Sequence, residues 1–304
     1  MTRCFTHLHI HSEFSLLDST CRIKDMIEFG KTHKLSHLAL TDNGVMFGAI
    51  DFYLACKDAG IEPVLGCELY VVDDLAQKTK PLMRLIALCQ NNTGYTNLCQ
   101  LVSESHTKHF YYRPRVDLNL IKQFQEGLLF ISPGQNGPIA FAMQNNNPDL
   151  ATHYIQNLKE IAPSRFYLGL QSPFEGLPNN WDEMTYLAKE HDLPLVATND
   201  VYYTKPTDHT LRRISQCIQF GRVLEEDELL DTSEKPQYLA SPQEMEAMYA
   251  HYPEAIENTL KIYGEEKKAR QISRAIVSAR PIKTTKQLAE IIYTILGTPK
   301  KNHC

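Results

Sequence analysis

None of the eight cysteines of this sequence forms a C-x-x-C pair; they stand apart at Cys4, Cys21, Cys56, Cys67, Cys89, Cys99, Cys217 and Cys304. A zinc ribbon needs paired cysteines and a small secreted domain needs a framework of them, so neither is expected. The usage fits a reducing cytoplasm, which is the expected location. No apolar run reaches the ~20 residues that cross a bilayer, so no membrane-spanning helix is expected. The first residues run almost directly into His7, without the basic and apolar stretches of a signal peptide. The motifs G-x-x-x-x-G-K-[ST], H-E-x-x-H and G-x-S-x-G are all missing, and with them the P-loop, zincin and serine-hydrolase chemistries they carry. Missing too is the close acidic cluster, ringed by basic residues, that holds metal ions for nucleotidyl transfer.

What is present describes an ordinary globular protein. The chain has 304 residues, 43% hydrophobic and 22% charged, enough to bury a large core. Its net charge of −5 is unevenly spread. From Lys267 onward only Glu290 is acidic, against basic residues such as Lys267, Lys268, Arg270, Arg274 and Arg280, which leaves residues 1–266 strongly negative. An acidic body repels nucleic acid, whereas a basic tail either touches phosphates or is a solvated end.

Along the chain, short apolar runs alternate with helical periodicity. The expected strands are Phe5–His11, His37–Thr41, Pro63–Val72, Leu82–Leu88, Gly127–Ser132, Arg165–Gln171 and Pro194–Thr198. Helices are expected over residues 22–34, 48–59, 94–106, 117–124, 148–161 and 180–191. Pro148 and Asp149 open the fifth of these, and Leu150, Tyr154, Leu158 and Ile161 then fall near 3.6-residue spacing. Seven such alternations imply an α/β fold with a parallel sheet curled into a closed or nearly closed barrel. After Tyr203 the alternation stops. The expected division is a barrel over residues 1–204, a helical extension over 205–263, and a basic tail over 264–304 with one helix near 286–296.

Polar residues fall where such a barrel builds its sites. His7, His9 and His11 alternate with Leu8 and Ile10, so period two sets the imidazoles on one face. Asp42 and Asn43 follow the second strand, and Asn199 and Asp200 the last. Each of these pairs alone also suits a turn or helix cap. Glu68 is the most informative residue, because a carboxylate within an apolar strand is costly unless it is paired or metal-bound. His9, His11, Glu68 and Asp200 together suit a divalent metal.

Several motifs carry a resemblance to a known family. They are His7-Leu8-His9-Ile10-His11-Ser12-Glu13-Phe14-Ser15, Leu38-Ala39-Leu40-Thr41-Asp42-Asn43-Gly44, Gly60-Ile61-Glu62-Pro63-Val64-Leu65-Gly66-Cys67-Glu68 and Val196-Ala197-Thr198-Asn199-Asp200. They resemble, in order and over roughly residues 3–263, the N-terminal PHP (polymerase and histidinol phosphatase) region of bacterial DNA polymerase III alpha subunits. The replicative and error-prone branches both fit. The resemblance implies a distorted (β/α)7 barrel whose rim binds up to three metal ions. It places His9, His11, Asp18, Glu68 and Asp200 at ligand positions, and substituted residues at four others: Asn43, Arg84, Gly134 and Tyr202. It therefore implies a degenerate centre holding one zinc or manganese ion, or none.

Three functions follow as expectations. The first is a structural and interaction module of a replicase, with the proofreading exonuclease subunit or the polymerase region as partner. The second is a metal-dependent phosphoesterase or 3′–5′ exonuclease. The third, from charge alone, is DNA binding through the basic tail. The polymerase palm of the family is absent from these 304 residues; a stand-alone relative, a truncated product and an excised piece all fit.

Overall fold

The structure, a computed structural model, describes residues 5–80, 82–171, 179–223 and 237–263. Eight strands form one sheet: β1 (His37–Leu40), β2 (Glu62–Val71), β3 (Met83–Cys89), β4 (Phe110–Tyr111), β5 (Arg113–Val116), β6 (Leu128–Ser132), β7 (Phe166–Gln171) and β8 (Leu195–Thr198). Its order is β4-β5-β2-β3-β6-β7-β8, with β1 also on β2. Between the strands lie α1 (Ile23–Thr32), α2 (Ala49–Ala59), α3 (Asn92–Thr107), α4 (Leu118–Phe124), α5 (Pro138–Gln144), α6 (Pro148–Ile161) and α7 (Trp181–Glu190). A short 3-10 turn leads into α8 (His209–Phe220), and α9 (Pro242–Met248) and α10 (Pro253–Tyr263) follow.

The expected strand Phe5–His11 is an extended segment rather than a ladder strand, with a single bridge between Ile10 and Val201. It nevertheless links the residues that follow β1 to those that follow β8. On one side Thr41 N donates to Ile10 O at 2.8 Å; on the other His11 N donates to Val201 O at 2.9 Å. Leu8 from this segment packs with Ala39, Val64, Ile86, Ile131 and Val196, so the interior of the curl draws on nearly every strand. A larger cluster, with Leu85, Phe130, Ile155, Leu158 and Leu168, lies between sheet and helices.

The all-parallel expectation is corrected. β3 runs antiparallel to both β2 and β6, while β1–β2, β6–β7 and β7–β8 are parallel. A parallel neighbour needs a crossover, usually helical. The described residues between β2 and β3 contain no helix, so the chain doubles back. Arg115 holds this connection by donating from Nη1 to Gln77 O at 2.6 Å. The β4–β5 hairpin and α5 were not expected at all.

α6 forms as the sequence reads: Asn147 caps it, its side chain accepting from Leu150 N at 3.0 Å, with Pro148 in the first turn. Residues 237–263 pack directly on the sheet. Asn258 Nδ2 donates to Leu195 O at 2.8 Å, and the Tyr249 ring stacks on Trp181 at 4.7 Å. The expected tail and its helix near 286–296 lie outside the described residues. Among the described residues no helix is long and apolar enough to cross a membrane.

Candidate metal centre

Backbone bonds bring three segments to one point. Val201 N donates to His9 O at 3.2 Å, which draws the residue before it, Asp200, to the histidines. Glu68 N donates to Asp42 O at 3.0 Å, and Gly44 N to Glu68 O at 2.8 Å, which ties the end of β1 to β2. Glu68 stands in register with Ile86, whose side chain belongs to the interior cluster. Cross-strand partners share a face, so Glu68 points into the curl. Gly44 makes its turn possible: its φ is +66°, and a Cβ there would meet the Tyr70 ring at 2.8 Å.

At that point His9, His11, Glu68 and Asp200, all buried, each offer one ligand atom, and these atoms lie within 4.8 Å of one another. His9 Nε2 is 3.0 Å from Glu68 Oε1 and 3.2 Å from Asp200 Oδ1. His11 Nε2 is 2.9 Å from Asp200 Oδ1. The two Nε2 atoms are only 3.2 Å apart. His7, two residues back, has a different role: its Nε2 bonds Ala240 O at 2.8 Å, and burial pushes its pKa down to about 4.

The residues fit a divalent cation. Two carboxylates and two imidazoles converge in a buried site, and the second carboxylate oxygens, Glu68 Oε2 and Asp200 Oδ2, have no hydrogen-bond partner among the described residues. Two buried negative charges without a counter-ion are costly. In part the chain supplies that charge itself. Burial alone lowers the His11 pKa, but the bond to Asp200 and its charge, with Glu68 and Asp42 behind, turn the net shift upward. Burial likewise raises Asp200, yet His9, His11 and Arg212 hold it below the usual carboxylate range. The outer support is thin: Nδ1 of both His9 and His11 lacks a partner, where metal-binding histidines ordinarily donate that N–H to a carboxylate or carbonyl.

The structure does not bring Asp18 into this group. Asp18 Oδ2 accepts from Asn43 Nδ2 at 3.0 Å, and its Oδ1 pairs with Arg212 Nη2 at 3.2 Å. The substituted positions are all occupied by contacts. Arg84 Nε stands 3.4 Å from Glu68 Oε2, an ion pair rather than an aligned hydrogen bond. Tyr202 stacks on His11, ring centroids 4.2 Å apart, and carries the Arg212 guanidinium 3.5 Å from its ring. A Cβ on Gly134 would meet Gly169 O at 2.5 Å, so that position has no room for a larger ligand without movement. Sequence reasoning missed Arg212, which comes from α8 with no local motif. It also missed Ser12 and Ser15, whose hydroxyls donate to Asp42 at 2.8 and 2.7 Å and fix the loop after His11. Burial raises the Asp42 pKa, and these bonds only partly offset it.

A model of the PHP domain matches residues 7–173. The chain belongs to the PHP domain family. The chain is 36% identical over 270 residues to the DNA polymerase III alpha subunit of Borreliella burgdorferi, a match covering 85% of this chain and 23% of that protein. It is 33% identical over 276 residues to the Helicobacter pylori alpha subunit, covering 86% of this chain and again 23% of the relative. The chain thus spans less than a quarter of the length of these relatives. Solved structures of similar shape include a two-domain Bacteroides vulgatus protein described as PHP-like, with TM-score 0.40, 11% identity, and 66% of this chain and 52% of that one covered. Another is an amidohydrolase from Chromobacterium violaceum, with TM-score 0.40, 13% identity, and 65% and 87% covered. Residues 224–304 match a second model, that of the MraW methylase family. The basic tail lies within that stretch, so its charge is not a feature of the PHP match, and the charge pattern alone gave no sign of this.

Proposed function

We propose that this PHP module serves a replicase as a structural and interaction domain, with a metal centre reduced to one residual site. The observation that carries this reading is the pair of arginines beside the centre. Arg84 lies against Glu68, and Arg212 against Asp18 and the Tyr202 ring. Cations in those places oppose further metal ions. His9, His11, Glu68 and Asp200 would hold the one ion that remains, zinc or manganese by donor type. When bound, such an ion acts as a Lewis acid and lowers the pKa of a coordinated water toward about 7. Similarity to alpha subunits favours the polymerase region and the proofreading exonuclease as partners.

The second reading, a metal-dependent phosphoesterase or 3′–5′ exonuclease, draws support from the convergence of the four buried donors. A hydrolysis assay separates the two. The purified chain, loaded with Mn²⁺ or Zn²⁺ and given a bis(p-nitrophenyl) phosphate substrate, should show weak turnover or none. Robust turnover that His9→Ala abolishes would establish the enzyme reading instead.

A further inference from the structure

Beside the centre opens a cleft of about 590 Å³, counting the solvent in its mouth. Asp18 and Asn43 are among its lining residues, together with Phe14, Phe47, Phe110, Tyr112 and Arg113. Phe47, Phe110 and Tyr112 are 66%, 58% and 61% exposed, which is unusual for three aromatic rings on one concave surface.

Two independent features set this cleft apart. The first is charge. Residues 1–266 are strongly acidic, yet the cleft edge is cationic. Lys80 Nζ stands 4.4 Å from the Tyr112 ring centroid, and the Tyr70 ring has Arg84 at 3.9 Å and Arg113 at 5.7 Å. Asp18, the one carboxylate of the lining, is already paired with Arg212. Two cations, Arg84 and Arg113, thus flank the Tyr70 ring, with Arg84 also against Glu68. The second is backbone strain. Six non-glycine residues have positive φ among those described; Lys34, Asn146 and Asp192 directly follow helix caps, where that conformation is common, and Ser164 lies just beyond another. Leu17 and Tyr112, at +61° and +60°, follow no helix; Tyr112 lines this cleft, and Leu17 lies between Leu16 and Asp18, which line it too. Tyr112 forms the tip of the β4–β5 hairpin, a position where glycine or asparagine would sit without strain.

Exposed aromatic faces interleaved with arginine and lysine are the elements that take stacked bases and their phosphates. An apolar protein segment would instead bury the Arg113 charge without a partner. We propose that the cleft binds a nucleoside monophosphate unit, free or at the end of a single strand, its base stacked among Phe47, Phe110 and Tyr112 and its phosphate held by Arg113. This goes beyond the replicase reading and needs no metal.

The test is equilibrium binding to the full 304-residue chain in EDTA, by calorimetry for small molecules and by anisotropy for a labelled oligo(dT). Thymidine monophosphate should bind more tightly than either thymidine or inorganic phosphate. Phe47→Ala and Phe110→Ala, each the loss of an exposed side chain, should weaken binding about 5- to 150-fold with unchanged melting. Arg113→Gln should erase the advantage of the monophosphate over the nucleoside. An oligonucleotide tighter than the monophosphate marks a strand end as the ligand, and equal affinity marks the free nucleotide; either supports the site. No binding of both at millimolar concentration by folded protein, or binding indifferent to all three substitutions, would overturn it.

Discussion

Arg84 Nε lies 3.4 Å from Glu68 Oε2 while its guanidinium carbon stands 3.9 Å over the Tyr70 ring. The arginine therefore supports a carboxylate that is fully buried and whose other oxygen faces His9. Arg84→Met should act in opposite directions on the two states. The metal-free protein should lose about 1–3 kcal/mol, less than a fully buried pair would cost because Arg84 remains one-quarter exposed. Metal affinity should rise, since the competing cation is gone. Chemical denaturation with and without Zn²⁺ checks both halves.

The substituted positions can also be refilled. The triple variant Asn43→His, Arg84→His, Tyr202→His should bind more metal per chain than the unmodified protein. Tyr202→His keeps a flat ring against His11, so the stack at 4.2 Å is retained in kind. Elemental analysis of both proteins after identical loading gives the comparison. Equal stoichiometry would mean that these positions are matched to the wrong ligands.

Acid should loosen the α9 cap. Ser241 Oγ accepts from Glu244 N at 3.2 Å, and Ser241 N donates to Glu244 Oε2 at 2.7 Å. Partial burial raises the Glu244 pKa, but the bonds from Ser241 and Tyr238 outweigh it and hold the carboxyl below its ordinary 4.5. A depressed carboxylate stabilises the fold above its unfolded pKa and loses that contribution as pH falls through the folded value. Melting temperature should therefore fall from pH 5 to pH 3 more steeply in the wild type than in Glu244→Gln. Ser241→Ala should cost about 0.5–2 kcal/mol at neutral pH.

The 304-residue chain should not extend a primed template. Among the described residues, the His9, His11, Glu68 and Asp200 group is the only set of three or more histidines, cysteines or acids close enough to share a metal. Template-directed incorporation by protein freed of other polymerases would contradict this.

Most strand positions were legible because runs such as His37–Leu40 and Leu128–Ser132 are short, apolar and bounded by turn residues. Strand direction was not, since period two carries no polarity; β3 turned on the lack of a helix among the described residues between 72 and 82. The hairpin at 110–116 was hidden because Phe110-Tyr111-Tyr112-Arg113-Pro114 shows no alternation and bends at a strained tyrosine. At the site, Glu68 stood out as a carboxylate in an apolar strand and His9 and His11 as alternating imidazoles, and the fold brings their ligand atoms to within 4.8 Å of one another. Asp18 parted from them because Arg212, 194 residues along the chain, captures it. No local pattern announces a contact of that span.

One metal site is expected to survive where the family's centre holds up to three ions. The most direct measurement is elemental analysis of the unmodified protein after saturation with Mn²⁺ or Zn²⁺ and removal of excess, beside the His11→Ala and Asp200→Ala variants. The expected result is no more than one ion per chain, lost in both variants. Three ions per chain in the unmodified protein would contradict it.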